Sequence, residues 1–375
     1  MIGIWNNEKS RRINKPKAAM FIAVLLFVPL NILTNFQQFE SLVAATEILL
    51  LTSIMFHSLL TYMVFIIYQD IICDNISIIE NRFNNFERNL LRKSNFQRDE
   101  EKLVMFLYRI LSCIFIGAVL VYAVAPFCGI DFPFLLSLPY VDEGSFSFPY
   151  LTYTAIVLVS TVQASVQIAT TIVYGGCISM ANAQIKMLGQ SYRDMGTETY
   201  KLFNTFNIRD HQAIEIIKRN VGHYLFLKRF CNQTFKVFSA ILLSQFVIAE
   251  VIACYCFFQI YEGVKMMSLY RITCGLLLLS SISIHAFINF YCGERLTSTS
   301  NEFQYDLYCS HWYTSSVKVR KMLIIVAECQ KKPIIFKAGS IVPITLGSFV
   351  TAVQAAVSYF NLLLALAKQM EKKYK

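Results

Sequence analysis

Residues 348 to 369 read SFVTAVQAAVSYFNLLLALAKQ, an apolar run that nevertheless carries Thr351, Gln354, Ser358 and Asn361. A helix of about 20 consecutive apolar residues crosses the hydrocarbon core of a bilayer, so the run is long enough to span. At about 100° per residue the four polar side chains fall within an arc of about 80°, and Ala365 and Gln369 extend the stripe. Phe349, Val353, Ala356, Phe360, Leu363 and Ala367 take the opposite side. Lipid offers no hydrogen-bond partner, so such a stripe must face other polar groups or water. Three uses fit it. The stripe can hold interhelical hydrogen bonds, or line a substrate cavity in a transporter. It can also line a water-filled ion path, with Leu362 and Leu366 at its edge, one turn apart, forming a dry constriction that gates by dewetting.

The rest of the chain has the composition of a membrane protein. Of 375 residues, 55% are hydrophobic and 15% charged, with 31 Phe and a mean hydropathy of +0.49. Seven stretches are apolar enough to span, at 18 to 39, 42 to 68, 103 to 128, 151 to 180, 235 to 261, 267 to 292 and 338 to 367. The first follows a basic leader but lacks an A-x-A-like cleavage site, which argues for a retained span rather than a signal peptide. An odd number of spans puts the two termini on opposite sides.

Charge sets the orientation. Lys and Arg number five in residues 1 to 17, six in 69 to 102, eight in 181 to 233 and seven in 292 to 337. The alternate connections hold none in 40 to 41, none in 129 to 150 and only Lys265 in 262 to 266. Basic residues stay cytoplasmic during insertion, so the alternation predicts a cytoplasmic N-terminus and an extracellular C-terminus, although the lysine-rich tail runs against it. The formal charge of +10 is thus a topological signal and implies no nucleic-acid partner. The sequons at Asn75 and Asn232 fall on the predicted cytoplasmic side and should stay unmodified.

The fold class expected is an all-α membrane protein of seven transmembrane helices, with a helical cytoplasmic anchor region. Residues 1 to 375 form one domain: a bundle over 18 to 180 and 235 to 292, an anchor over 181 to 234 and 293 to 337, and a last helix over 338 to 368. In the anchor, Ile214, Ile217, Val221 and Leu225 repeat at helical spacing, and that helix is expected to run straight into the fifth span. Tyr308, Trp312, Val319, Met322 and Val326 mark a second amphipathic helix over 308 to 329, suited to packing on protein or lying on anionic lipid. The connection 128 to 150 carries Pro133, Pro139 and Pro149, follows Pro126, and reads as a folded loop or a lid.

Enzyme chemistry has no foothold. The five histidines lie far apart, no H-E-x-x-H, G-x-S-x-G or G-K-S/T occurs, and the eleven cysteines form no C-x-x-C, so no metal or cofactor is expected. His57 and His285 sit inside spans, where an ionisable group is a functional candidate. A neutral, hydrogen-bonded packing histidine is the alternative. Glu47 and Glu250 raise the same question.

The C-terminal third adds a resemblance. CGE at 292 to 294, Tyr308 and Trp312, the basic Arg320-Lys321 before MLIIVAECQKKP, then KAG at 337 to 339 and Ser358-Tyr359-Phe360 resemble the C-terminal signature of the insect odorant receptors. Further features run through the whole chain, including LSLPY and PYLTY around the fourth span. The resemblance implies a ligand-gated, non-selective cation channel in the plasma membrane of sensory dendrites, a tetramer whose central pore is lined by each last helix. On it, Thr351, Gln354, Ser358, Asn361, Leu362, Ala365 and Leu366 are pore and gate residues. The chain has Ala356-Val357 where many members carry Ser-Tyr, and Ala365 where the co-receptor and the gustatory receptors keep Gln. These departures suit a ligand-tuning subunit working beside a co-receptor in a heterotetramer.

The resemblance also places a small apolar ligand pocket in the outer half of spans two to six. Depth and chemistry select Tyr122, Tyr153, Tyr255, Phe258 and Tyr270, able to surround a small volatile organic ligand and offer a hydroxyl. Ile54, Phe115, Ala118, Val157 and Thr161 complete the expected wall, with ordinary helix packing as the alternative for each. A seven-span G-protein-coupled receptor, with its N-terminus outside, and a gustatory-type homomeric channel are the competing functions.

Overall fold

The computed structural model describes residues 42–83, 95–124, 148–195, 206–310 and 312–373. The expected first span and most of the 128 to 150 connection lie outside the described residues. The architecture is helical: α1 (Leu42–Ile67), α2 (Gln69–Ile78, prolonged by a π turn Ile79–Phe83), α3 (Phe96–Val124), α4 (Phe148–Arg193), α5 (Phe206–Lys265), α6 (Leu269–Tyr308), α7 (Val317–Cys329) and α8 (Leu346–Lys373). Among the described residues, five helices are long and apolar enough to cross a membrane. The pair Thr52–Ile67 and Gln69–Phe83, bent by 70° at Tyr68, makes a sixth if read as one broken span.

Three helices are longer than a membrane requires. At about 1.5 Å per residue, a helix of 60 residues such as α5 extends about 90 Å, roughly three times the ~30 Å hydrocarbon core. The amphipathic stretch 213 to 230 therefore continues into the fifth apolar stretch without a turn, and α4 and α6 likewise pass residues 180 and 292 unbroken. Pro149 lies in the first turn of α4, where a missing N–H costs no helical hydrogen bond. The second amphipathic helix is shorter than its pattern suggests. It starts at Val317, with the Ser316 hydroxyl accepting from the Val319 N–H at 3.4 Å, while Tyr308 ends α6 and is exposed. Val319, Leu323 and Val326 of α7 are buried.

A buried aromatic cluster packs where the long helices continue beyond the cavity described below. Tyr174, Phe238 and Phe336 meet there with ring centroids 5.5 and 5.6 Å apart, and Phe235 stacks on Phe336 at 4.3 Å. Phe336 is brought in by a two-residue antiparallel hairpin, β1 (Lys337–Ala338) with β2 (Val342–Pro343), pairing Ala338 with Val342. Gly339 turns that hairpin with φ +57°, and its N–H donates to the Ser239 backbone oxygen at 3.1 Å. A Cβ at this position would overlap the Leu243 side chain, so a positive φ and a close approach both require glycine.

Asn75 is buried, and its amide donates to the Thr234 hydroxyl at 3.2 Å. The two sequons thus meet through the Asn of one and the Thr of the other. Burial closes Asn75 to modification in the folded chain.

Candidate ligand cavity and the outward face of the last helix

Five helices enclose a cavity of about 170 Å³. α1 contributes Ile54 and His57, α3 Phe115, Ala118 and Val119, and α6 Leu278, Ser281, Ile282 and His285. α4 lays a long stripe along it, Tyr153, Val157, Ser160, Gln163, Ala164 and Gln167, and α5 adds Gln245, Ile248, Ala249 and Ile252. The spacing of three and four residues on each helix is what turns one face inward. An apolar cavity of about 150 Å³ holds benzene, so this one takes a molecule of roughly one ring.

The two histidines form one end of the cavity. Nδ1 of His285 accepts from the Gln245 amide at 3.0 Å, so its Nε2–H donates to the Thr171 hydroxyl at 2.6 Å. The Thr171 hydroxyl in turn donates a hydrogen bond to the Gln167 backbone oxygen at 3.0 Å. His57 lies 2.9 Å from the Ser244 hydroxyl through Nδ1 and 3.3 Å from the Gln167 amide through Nε2. Both rings are buried with each nitrogen partnered, an arrangement that a neutral imidazole satisfies at low cost.

Gln245 leads outward from this end. Its Oε1 accepts from the Asn289 amide at 2.9 Å, and Asn289 lines a second, smaller cavity of about 50 Å³. That cavity is walled on its far side by Phe349, Ala352, Val353 and Ala356 of α8. Gln245, Ala249 and Ile282 line both cavities. Glu250 also lines the second one, whereas the Glu47 side chain lies outside the described residues.

α8 is held by one face only. Ala356 is buried against the bundle, Phe349 meets Phe287 and Phe290 at 5.9 and 6.0 Å, and Phe360 meets Phe257 at 5.6 Å. Its apolar window is 6% buried, against 61% for that of α4, so most of its surface faces away from the chain. Thr351, Gln354, Ser358, Asn361, Leu362 and Ala365 are all exposed there. The Thr351 and Ser358 hydroxyls bond back to the Gly347 and Gln354 carbonyls, at 3.1 and 3.0 Å. The Leu366 side chain lies outside the described residues.

The CGE motif fixes where α8 begins. A Glu294 carboxylate oxygen accepts from the Leu346 N–H at 3.1 Å, putting a negative charge at the helix N-terminus. Gly293 lets α6 approach the preceding residue: a Cβ there would lie 2.6 Å from the Ile344 carbonyl oxygen.

Of the expected pocket residues, Ile54, Phe115, Ala118, Tyr153 and Val157 line the cavity. Thr161 does not: it is exposed, and its hydroxyl returns to the Val157 carbonyl at 2.8 Å. Tyr255 packs with Ile252 and Cys256 in a small apolar cluster and bonds Gln259 at 2.7 Å, while Phe258 is buried apart from the cavity. Tyr270 stands near the start of α6, two turns before Leu278, and the Tyr122 side chain lies outside the described residues. The expected set omits Ser160, Gln163, Gln167, Gln245 and Ser281, which also line the cavity. The signal for three of them was present, as polar residues at spacings of three and four along an otherwise apolar span.

A family model described as 7tm Odorant receptor matches residues 41–357. The chain is 26% identical to putative odorant receptor 85d of Drosophila melanogaster over 154 residues, 40% of this chain and 36% of that one. It is 26% identical to odorant receptor 23a of the same species over 180 residues, 48% of this chain and 43% of that one. Each match thus spans less than half of the relative's length. The fold matches the insect olfactory receptor OR5 from Machilis hrabei, solved in complex with eugenol, with a TM-score of 0.79 at 13% identity over 97% of this chain and 93% of that one. A second structure of the same receptor matches with a TM-score of 0.78, again at 13% identity, over 98% of this chain and 93% of that one. An all-α, multi-pass membrane fold, a last helix carrying an outward polar stripe, and a family match over most of the chain lead to one conclusion: this protein belongs to the seven-transmembrane odorant receptor family.

Proposed function

We propose that the chain is the ligand-tuning subunit of an odorant-gated, non-selective cation channel, assembled with a co-receptor in the plasma membrane with its N-terminus cytoplasmic. A single observation carries this reading: the one-ring cavity and the seat of α8 share a wall at Gln245, Ala249 and Ile282. A ligand that shifts this wall acts on the helix whose polar stripe faces outward, and a stripe of that kind is stable in a membrane only beside water or polar partners. Copies of such a helix around a common axis supply a wet path, with Leu362 and Leu366 as its dry constriction. In this reading the long extensions of α4, α5 and α6, with α7 and the hairpin, form the cytoplasmic anchor that holds subunits together. The solved receptor of the same fold carries eugenol, in keeping with a small organic ligand here.

The test is to record from cells expressing the chain with and without a co-receptor while applying volatiles. Evoked cation current that needs the co-receptor and survives G-protein blockade is expected. Current that requires G-protein signalling, or an N-terminus reached by extracellular protease, overturns the reading.

A further inference from the structure

The polar side chains of the larger cavity fall into two groups. His57, Gln167, Gln245 and His285 hydrogen-bond within the protein, and Tyr153 also has a partner. Ser160, Gln163 and Ser281 line the cavity too, yet none of the three has a hydrogen-bond partner among the described residues. Ser281 is 1% exposed, so its hydroxyl depends on what occupies the cavity. A helical serine commonly returns its proton to the preceding turn, as neighbouring Ser280 does to the Leu277 carbonyl at 2.9 Å. Ser281 makes no such bond among the described residues.

Resting on the reading of this cavity as the ligand site, we propose that it selects an oxygen-bearing volatile of about one ring's bulk, an alcohol, ketone or ester, over the hydrocarbon of the same shape. Water and an oxygenated ligand both satisfy Ser281 and Gln163. A hydrocarbon that displaces water leaves both unpaired against its own apolar surface. A site built to hydrogen-bond a polar group penalises the analogue that lacks it, because the site's own polar groups are then left unpaired. Ser281 both donates and accepts, and so does the Gln163 amide, which is why the class extends from alcohols to carbonyl compounds.

Two shape-matched pairs test the proposal: benzyl alcohol against ethylbenzene, and acetophenone against cumene. In the wild-type chain with its co-receptor, the oxygenated member of each pair should act at about tenfold lower concentration, the equivalent of one well-made hydrogen bond in a dry site. Ser281→Ala combined with Ser160→Ala and Gln163→Leu should bring the ratio near one by weakening the oxygenated member, with the hydrocarbon response as a built-in control for folding and assembly. Equal potency within the pairs in wild type, or a ratio that survives the triple substitution, overturns the proposal. Thermal stabilisation of the purified chain by each compound provides a second readout. Selective stabilisation by the oxygenated compounds without any evoked current supports the ligand class and overturns the channel reading. Equal stabilisation by both members, or by neither, overturns the ligand class whatever the currents show.

Discussion

Replacing Gly293 with alanine should unseat the last helix. The added methyl would lie 2.6 Å from both the Ile344 carbonyl oxygen and its Cγ2. Carbon and oxygen do not approach this closely without bonding, so α6 or the strand before α8 must yield by about half an ångström or more. The same few residues carry the Glu294 cap on the Leu346 N–H, already at 3.1 Å, and a displacement of that size takes it past hydrogen-bonding range. Overpacking costs about 1–3 kcal/mol. Losing a charged cap costs about 1–2 kcal/mol. A total of roughly 2–5 kcal/mol corresponds to a change of about 30- to 5000-fold in the equilibrium between seated and displaced α8. The assay is ligand-evoked and basal current at matched surface expression, with a thermal melt of the solubilised protein alongside. Gly222→Ala is the control, since nothing lies within 4 Å of a Cβ there. The expected result is a large change in the ratio of basal to maximal current and a lower melting temperature for Gly293→Ala, with neither for Gly222→Ala. Ile344→Ala should rescue only in part, because the carbonyl oxygen remains. Identical behaviour of the two glycine variants would refute the role assigned to the CGE motif.

Three further outcomes are expected. Leu362→Ser, at an exposed position on α8, should raise basal conductance and leave the rank order of ligands unchanged; a changed rank order with basal current untouched would count against a gate there. Gln245→Leu removes the bonds to both His285 and Asn289 and should shift the half-maximal concentration of every agonist by a common factor, of order tenfold, because its amide, although in the cavity wall, is engaged by His285 and Asn289. Shifts that differ between agonists would place its role in recognition instead. Gly339→Ala, at a positive φ and against Leu243, should lower thermal stability by about 1–3 kcal/mol, readable as a drop in melting temperature; an unchanged melt would show that the hairpin has room to relax.

The sequence by itself determined the spans and the polar stripe of the last helix. Length, apolarity and angular position along one helix are local quantities, and every element they require is written consecutively in the chain. Five expected pocket residues line the cavity for the same reason: depth along a span follows from counting turns. Thr161 lies outside the cavity lining because depth does not fix rotation about the helix axis, and at its position the side chain is exposed. Tyr255 and Phe258 are at suitable depths yet pack among helices, since a large aromatic fills space wherever its neighbours leave a gap.

The tertiary structure decided what depends on several helices at once. His57 meets Ser244 and His285 meets Thr171 across separations of 187 and 114 residues, and their partners exist only once four helices are packed. The CGE motif is legible as a pattern, but its work, glycine admitting the Ile344 carbonyl and glutamate capping α8, needs the return of the chain through the hairpin. The shared wall at Gln245 has the same origin. Helix formation in a membrane is settled residue by residue through backbone hydrogen bonds, whereas rotation and contact are settled by packing, where each helix answers to all the others.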